Sequence, residues 1–296
     1  MSRIFDALQR SETERMGVLP ENALTLATEL LQSAEREVAK PDVTPANPVN
    51  PDFGDFRSLT ISPSRDSRLI CLTAKDSLGA EKFRFLGVRL RQLQQSRSLK
   101  KILVTSTIPE EGKSTISGNL VTTLARKQKQ KILLLEGDLR RPSLCHQFGF
   151  SKLPGLSEWL QGPIVPMANI YHLEGPGFWF LPAGQPPENP LELMQAGRLS
   201  ELMDRLTAWF DWIVIDSPPV LPLADTTVWT RLADGILLVT REGTTQKRQL
   251  VRGLQVLEQS KLLGVVLNSS KNTDHANYYQ RYGPATVSPP SDVKQS

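Results

Sequence analysis

Residues 101–115 read KILVTSTIPEEGKST, an apolar run followed by a turn that contains glycine and lysine and then serine and threonine. The apolar run predicts a buried strand, and the residues from Lys113 onward predict a helix. A loop between a strand and a helix directs backbone N–H groups and a lysine side chain into one small volume, which is how phosphates are bound. The stretch therefore predicts a phosphate-binding loop where a buried strand ends.

The chain on both sides of this loop alternates short apolar runs with amphipathic stretches. Strands are predicted at RLICLTA (68–74), KKILVTS (100–106), KILLLEG (131–137), FWFLPAG (178–184), WIVIDSPP (212–219), GILLVTR (235–241) and GVVLNSS (264–270). Helices are predicted at 77–95, 113–128, 155–161, 198–210 and 247–259. This alternation predicts an α/β fold with a mostly parallel sheet, helices on both faces and ligands at the carboxyl ends of the strands.

Four segments are predicted along the chain. Residues 1–40 show helical periodicity in two pieces, which indicates an N-terminal helical extension, either a surface helix pair or a docking element. Residues 41–66 contain repeated prolines and predict an extended linker. Residues 67–270 form the α/β domain, and the polar residues 271–296 predict a flexible, disordered C-terminal tail.

Composition excludes several classes of function. Of the 296 residues, 35 are Lys or Arg and 31 are Asp or Glu, so the net charge of +4 is too small and too scattered to predict nucleic-acid binding. Two cysteines without metal-ligand spacing predict small buried side chains in a reducing, cytoplasmic compartment. No apolar run is long enough to span a membrane, so membrane contact is expected through a partner or a surface helix.

The loop matches the pattern GxxxxGK[ST] at Gly112, Lys113 and Ser114, while Thr107 stands at the first glycine position. In this interpretation Lys113 reaches the β and γ phosphates and the Ser114 hydroxyl ligates Mg²⁺. The pattern alone leaves the nucleotide interpretation open. The predicted nucleotide-binding residues of the loop are Thr107, Glu110, Glu111, Gly112, Lys113, Ser114 and Thr115.

Two further strands are expected to end at the same edge of the sheet. The run ILLLEGDLRRP places Glu136, Asp138 and Arg140 after one strand, and WIVIDSPP places Asp216 at the end of another. Taken alone, the first run is better explained as a solvated turn. Asp216 directly follows a buried strand, where a carboxylate is costly unless a cation or hydrogen bonds meet it. Together the three segments predict a nucleotide–Mg²⁺ site.

With these residues in view, the stretch from about 67 to 270 resembles the bacterial tyrosine kinases, which are P-loop kinases found with capsule and exopolysaccharide assembly. The resemblance rests on TIPEEGKST as Walker A, ILLLEGDLRRP as Walker A′ and WIVIDSPPVLPLAD as Walker B, and it extends to LPAGQPPENPLELM and GVVLN. It implies an ATP- and Mg²⁺-dependent protein-tyrosine kinase. The implied catalytic residues are Lys113, Asp138, Glu136 and Arg140, the implied metal ligands are Ser114, Asp138 and Asp216, and Asn268 is the implied adenine contact.

The resemblance also implies a phosphoacceptor tail. Tyr278, Tyr279 and Tyr282 lie close together in a chain with only four tyrosines. Core packing or an aromatic strand would also place tyrosines together, but polar neighbours favour an exposed acceptor cluster. The tail is long enough to reach a neighbouring molecule, so phosphorylation between subunits is expected.

Family members of this kind act with a membrane polysaccharide co-polymerase, which here would be a separate activator chain that recruits the kinase to the inner face of the membrane. A homo-oligomer is also implied, although Gly87 replaces the second arginine of the family's ExxRxxR pattern, which Glu81 and Arg84 match. Glu136 replaces the usual aspartate. Two alternatives stay open, a nucleotide-dependent switch without kinase activity and a partitioning ATPase, although the latter has a lysine where this chain has Ile108.

Overall fold

The structure is a computed structural model, and it describes residues 53, 55–63, 67–126, 130–162, 168–221 and 224–269. The predicted N-terminal extension (1–40) and the predicted tyrosine-bearing tail (271–296) lie outside the described residues. The division of the chain into four segments therefore remains a prediction.

One sheet organises the described residues. Its eight strands are β1 (Arg57–Thr60), β2 (Lys101–Ser106), β3 (Ile132–Glu136), β4 (Tyr171–Glu174), β5 (Phe178–Leu181), β6 (Trp212–Asp216), β7 (Gly235–Arg241) and β8 (Leu262–Asn268). Their order is β1-β4-β5-β3-β6-β2-β7-β8, and every neighbouring pair is parallel except β4–β5. The strands β3, β6 and β2 are therefore direct neighbours, so the three segments that end in polar residues finish side by side.

Helices cover both faces of the sheet. They are α1 (Ile70–Thr73), α2 (Leu78–Ser96), α3 (Lys113–Ala125), α4 (Leu144–Phe148), α5 (Leu156–Gln161), α6 (Pro190–Gln195), α7 (Arg198–Trp209), α8 (Asp225–Leu232) and α9 (Lys247–Val256), with a short 3₁₀ turn at Gln259–Lys261. Successive residues of a strand point to opposite faces, and both faces are buried here. Leu133 packs in one hydrophobic core with α7, and Leu134 packs in the other core with α3. The predicted fold class is confirmed.

The strand predicted at 68–74 is wrong, because Ile70–Thr73 form the single turn of α1. The buried Cys71 donates its backbone N–H to Asn119 Oδ1 at 2.9 Å, and Asn119 Nδ2 donates to the Arg68 carbonyl at 2.9 Å. A side chain of α3 thus satisfies the backbone groups that a strand would have paired with a neighbour. A short apolar run has the same pattern in both structures, so periodicity did not distinguish them.

Residues 57–60, which the predicted linker 41–66 includes, form the edge strand β1, whose residues pair with β4. Phe56 just before it is buried. The strand was missed because it is short, and only one of its four residues is even partly buried. The sequence also did not indicate β4 or the short helices α4, α6 and α8.

Two further sequence expectations concern thiols and membrane spans. Cys71 and Cys145 are free thiols. Cys71 is buried, as predicted, whereas Cys145 is only partly buried. Within the described ranges, no helix combines the length and the apolarity needed to cross a bilayer.

Candidate phosphate-binding and kinase site

A cleft of about 530 Å³ opens at the carboxyl ends of β2, β3 and β6. Most of the residues predicted from the three motifs line it, namely Glu110, Gly112, Lys113, Ser114, Thr115, Asp138 and Arg140. Residues that were not predicted also contribute, namely Pro109, Arg141, Ser143, Gln147 and Pro219. The sheet topology therefore brings most of the predicted site to one cavity.

Gly112 directly precedes α3, and its backbone has φ +93°. A Cβ atom at this position would lie 2.2 Å from Asn268 Nδ2. Both the left-handed backbone and the close side chain require glycine here. The loop can then turn into α3 so that the first N–H groups of the helix face the cleft, where they favour an anion.

Lys113 begins α3, and its Nζ forms an ion pair with Asp138 Oδ2 at 3.1 Å. Burial alone would lower the pKa of Lys113, but the carboxylates of Asp216, Asp138 and Glu136 raise it above its ordinary value. The lysine is therefore a permanent cation at neutral pH, held at the floor of the cleft by Asp138. Asp138 Oδ1 also accepts from the Arg141 backbone N–H at 3.1 Å.

Asp216 ends β6 and is buried. Its Oδ1 accepts from the Ser117 hydroxyl at 3.2 Å, and its Oδ2 is buried with no hydrogen-bond partner among the described residues. Loss of hydration raises the pKa of Asp216, and the charge of Lys113 together with the hydroxyls of Ser114 and Ser117 opposes that rise. An unpartnered buried carboxylate oxygen beside the phosphate loop fits a bound cation or its water ligands.

Mg²⁺ prefers oxygen ligands and is usually held by one or two carboxylates together with phosphate oxygens. In the described part of the chain, no cluster of three or more His, Cys, Asp or Glu side chains could hold a metal ion by itself. The donor set is the Ser114 hydroxyl and the Asp138 carboxylate, which line the cleft, together with the carboxylate of Asp216, which is buried and does not line it. This set fits a metal that arrives with a nucleotide better than a resident metal ion.

Glu136, which the resemblance implies as a catalytic residue, is buried and does not line the cleft. Its Oε1 accepts from the backbone N–H groups of Ser143 and Leu144, both at 2.6 Å, and its Oε2 accepts from that of Ala183 at 3.2 Å. Glu136 thus joins the β3–α4 loop to the segment after β5. Glu136 has one methylene more than the aspartate that is usual in the family, and its carboxylate makes these backbone hydrogen bonds.

Glu136 makes stability depend on pH. Burial raises the pKa of Glu136 to about 7, although backbone N–H groups oppose the rise. Because the native carboxyl binds its proton more tightly than the unfolded one, its contribution to stability is complete below about pH 4.5 and is lost as the pH rises through about 7. We expect the free energy of unfolding, relative to Glu136→Gln, to fall by up to about 3 kcal/mol across that window. Urea unfolding at pH 5, 6, 7 and 8 measures this difference, and a constant difference would contradict it.

Arg140 lines the cleft but also forms a bidentate ion pair. Its Nε donates to Asp225 Oδ2 at 2.6 Å and its Nη2 donates to Asp225 Oδ1 at 3.1 Å. Asp225 is buried at the start of α8, and the Arg140 side chain remains 40% exposed. Sequence reasoning did not single out Asp225, although it ends the quoted WIVIDSPPVLPLAD motif. The pair orients the guanidinium at the rim of the cleft.

Thr107 occupies the first glycine position of the pattern and does not line the cleft. It is buried, and it lies against Gly253 of α9, where a Cβ atom would be 3.1 Å from both Thr107 Cγ2 and Oγ1. The loop therefore tolerates a side chain at this position because the facing helix has none.

Glu110 has φ +65° and is an exposed residue at the mouth of the cleft. Its carboxylate adds negative charge where an anionic ligand would enter. We expect Glu110→Gln to tighten Mg·ATP binding by about two- to fivefold at low salt, because an exposed charge contributes only a few tenths of a kcal/mol to about 1 kcal/mol. Isothermal titration calorimetry at 20 and 300 mM salt tests this, and an unchanged affinity at both concentrations would contradict it.

Asn268 ends β8, but both ends of its amide are engaged with the backbone. Its Nδ2 donates to the Glu111 carbonyl at 2.8 Å, and its Oδ1 accepts from the Ser269 N–H at 2.8 Å. In the structure Asn268 thus contacts the phosphate-binding loop, whereas the resemblance implied that it contacts adenine. Glu111 itself is buried and does not line the cleft.

The helix that carries the oligomer motif departs from the family pattern for a visible reason. Glu81 and Arg84 of α2 form an ion pair, but Gly87 is buried against α3, where a Cβ atom would lie 3.1 Å from Thr123 Cγ2. A side chain at this position would require Thr123 to shift by a few tenths of an ångström. The acceptor tyrosines Tyr278, Tyr279 and Tyr282 lie outside the described residues.

The fold and the cleft define a P-loop protein with a mostly parallel α/β sheet, and comparison with known proteins gives its family. No protein-family model matches the chain. It is 32% identical over 231 residues to the tyrosine-protein kinase YwqD of Bacillus subtilis (strain 168), covering 74% of this chain and 95% of that protein. It is 31% identical to the tyrosine-protein kinase ptk of Acinetobacter johnsonii, covering 73% of this chain but only 31% of that longer protein.

Among solved structures, the chimerical protein CapA2B2 superposes with a TM-score of 0.65 at 28% identity, covering 72% of this chain and 93% of that one. The chain belongs to the bacterial tyrosine-protein kinase family, as the sequence resemblance predicted. A tyrosine kinase is accordingly favoured over the switch and the partitioning ATPase.

Proposed function

We propose that this chain transfers the γ-phosphoryl group of ATP to tyrosine hydroxyls of its own C-terminal tail, and that this controls capsule or exopolysaccharide synthesis or export. The observation that carries the proposal is the ion pair of Lys113 with Asp138 in a cleft lined by the phosphate-binding loop. The buried Asp216, whose Oδ2 has no hydrogen-bond partner among the described residues, interacts with Lys113 and Ser114 of that loop. A cation, a carboxylate and a set of helix N–H groups in one place suit a phosphoryl group that is both bound and transferred.

The residues divide the work by position. Backbone N–H groups from Gly112 to Thr115 bind the phosphate oxygens, and Lys113 compensates the charge that develops on the transferred group. Asp138 is mostly buried and lines the cleft. It accepts the proton of the tyrosine hydroxyl while the tyrosine oxygen bonds to the γ-phosphorus and the bond between that phosphorus and ADP breaks. Arg140, which lines the cleft and is held by Asp225, would balance part of the remaining charge.

Mg²⁺ would be held by Ser114, Asp138 and Asp216 together with the phosphates, and when bound it would supply charge neutralisation for the nucleotide. Asp216 fits an outer position, because its Oδ1 is engaged by Ser117 and only Oδ2 is free of hydrogen bonds in the described residues.

The acceptors are Tyr278, Tyr279 and Tyr282. The tail begins directly after β8, whose last residue, Asn268, contacts the phosphate loop. Each phosphate adds up to about two negative charges, so a phosphorylated tail favours separation of copies.

We also propose a homo-oligomer and a separate membrane polysaccharide co-polymerase as activator, which would recruit this kinase to the inner face of the membrane. Support for the oligomer is the outer face of α2, where Phe85 is 71% exposed and Val88 is 52% exposed. An exposed apolar pair on a helix beside Glu81 and Arg84 suits contact between copies. Residues 1–40 are the proposed docking segment for the activator.

Purified chain incubated with radiolabelled ATP and Mg²⁺, with and without the cytoplasmic segment of a candidate co-polymerase, tests the proposal. We expect label on the tail tyrosines, mapped by mass spectrometry, and no label after replacement of Tyr278, Tyr279 and Tyr282 with phenylalanine. Nucleotide binding without labelling, even with the activator segment, would favour the switch. ATP turnover that is stimulated by DNA or lipid without labelling would favour the partitioning ATPase.

A further inference from the structure

Glu111 is a buried acidic residue of the phosphate-binding loop that does not line the cleft, with 0% of the residue exposed. Its Oε2 accepts from the backbone N–H of Ile108 at 2.9 Å, and its Oε1 accepts from the Thr245 hydroxyl. Throughout the described ranges, no lysine, arginine or histidine forms an ion pair with it. A buried carboxylate without a cation depends on its hydrogen bonds.

The partner of Glu111 comes from a distant part of the chain. Thr245 lies in the loop between β7 and α9, and its Oγ1 also accepts from the Arg241 backbone N–H at 3.0 Å. The hydroxyl thus orders its own loop and donates its hydrogen to the phosphate loop at the same time. Removal of the hydroxyl would leave the Glu111 carboxylate with only the hydrogen bond from Ile108, and it would remove the hydrogen bond that the Arg241 N–H donates to Thr245.

Two more contacts join the same segments. Asn268 Nδ2 donates to the Glu111 carbonyl at 2.8 Å, and Arg241 Nη1 donates to the Glu110 carbonyl at 3.4 Å. Two successive carbonyls of the phosphate loop are therefore held from the β7 and β8 side. The Asn268 amide also fills the space that a Cβ atom at Gly112 would need.

We propose that Thr245 and Asn268 are positioning residues that hold the phosphate-binding loop in its anion-binding conformation, Thr245 through the side chain of Glu111 and Asn268 through its carbonyl. The loop N–H groups then bind phosphates without first being ordered. Neither Thr245 nor Asn268 lines the cleft, so each acts through the loop. The inference requires one part of the proposed function, which is that the chain binds a nucleotide.

The test compares Thr245→Val with Thr245→Ser and Thr244→Val. Valine has the shape of threonine without the hydroxyl, and serine keeps the hydroxyl. The neighbouring Thr244 is exposed and supplies a matched control. We expect Thr245→Val to raise the Kd for Mg·ATP and the KM for ATP by about tenfold or more, because a buried carboxylate loses a hydrogen bond. The KM for the acceptor should stay unchanged, and Thr245→Ser and Thr244→Val should stay within about twofold of wild type.

Hydrogen exchange supplies a readout that does not need activity. The Ile108 N–H donates to Glu111, so we expect faster exchange in the peptide covering residues 106–112 of Thr245→Val and unchanged exchange in β3. If Thr245→Val loses the whole fold, hydrogen exchange in β3 rises as well. The single variant Asn268→Ala then carries the test, and Thr245→Ser remains the control that keeps the hydroxyl. A Thr245→Val variant that is folded and binds Mg·ATP like Thr244→Val would overturn the proposal.

Asn268→Ala separates positioning from adenine recognition. A positioning residue affects every phosphate ligand, so we expect weaker binding of both Mg·ATP and magnesium tripolyphosphate by a similar factor. Weaker binding of Mg·ATP alone would assign Asn268 to adenine and overturn its positioning role. Should the wild-type chain bind neither ligand, the proposed function fails, whereas normal wild-type binding with unaffected variants overturns only this inference.

Discussion

Replacement of Lys113 with methionine is expected to lower the rate of tail autophosphorylation by at least about 10³-fold. The ammonium group lies 3.1 Å from Asp138 in the cleft and is the cation placed to meet the charge of the transferred phosphoryl group. Preorganised charges in a partly buried site contribute several kcal/mol to the transition state, and methionine keeps only the length of the side chain. Initial rates of radiolabel incorporation into the tail measure the effect.

The control for this variant is Lys152→Met, since Lys152 is an exposed lysine whose Nζ contacts only Gln185 at 3.5 Å in the described structure. We expect it to match wild type. Thermal unfolding of both variants separates loss of chemistry from loss of fold, because Lys113→Met also leaves Asp138 without its cation. A folded Lys113→Met protein with more than a tenth of wild-type activity would contradict the assignment.

Asp216→Asn is expected to lower kcat by about 10²-fold or more and to raise the Mg²⁺ concentration needed for half-maximal rate. The variant keeps an oxygen that can accept from Ser117, but it removes the charge of the carboxylate whose Oδ2 has no partner in the described structure. A neutral amide holds a divalent cation or its water ligands less tightly than a carboxylate. Magnesium titrations of the labelling rate measure both changes.

Asp216→Asn is expected to lower activity but to raise thermal stability relative to wild type as the pH increases, which distinguishes it from a general structural defect. Loss of hydration raises the pKa of Asp216, so its ionised form is costly in the nucleotide-free protein. Because a raised native pKa means stability lost as pH rises, the Tm of Asp216→Asn should gain on that of wild type as the pH increases. A folded variant with the wild-type magnesium dependence would rule out the metal role.

Asp211→Asn is the matched control. Asp211 immediately precedes the other end of β6, where its Oδ2 accepts from the Lys131 backbone N–H at 2.7 Å. The substitution is chemically the same but lies at the amino end of the strand, away from the cleft. We expect an unchanged kcat and an unchanged magnesium requirement.

The sequence alone determined the fold class and the location of the site. Several apolar runs such as Ile132–Leu135, alternating with amphipathic helices, are typical of a mostly parallel sheet covered by helices on both faces. Since the carboxyl ends of parallel strands share one edge, Lys113, Asp138 and Asp216 could be placed together without coordinates. The same local patterns did not distinguish the one-turn helix α1 from a strand, because a partner in α3 decided it.

What only the tertiary structure decided is how each side chain of the site is used. Backbone N–H groups of the β3–α4 loop and of Ala183 donate to the Glu136 carboxylate, and Asp225 orients Arg140. The Thr245 hydroxyl donates to Glu111, which lies 134 residues away in the sequence. Hydrogen bonds and ion pairs depend on distances of about 3 Å between atoms that folding brings together. A sequence pattern reports which groups reach an edge of the sheet, and packing decides which of them remain free to meet a ligand.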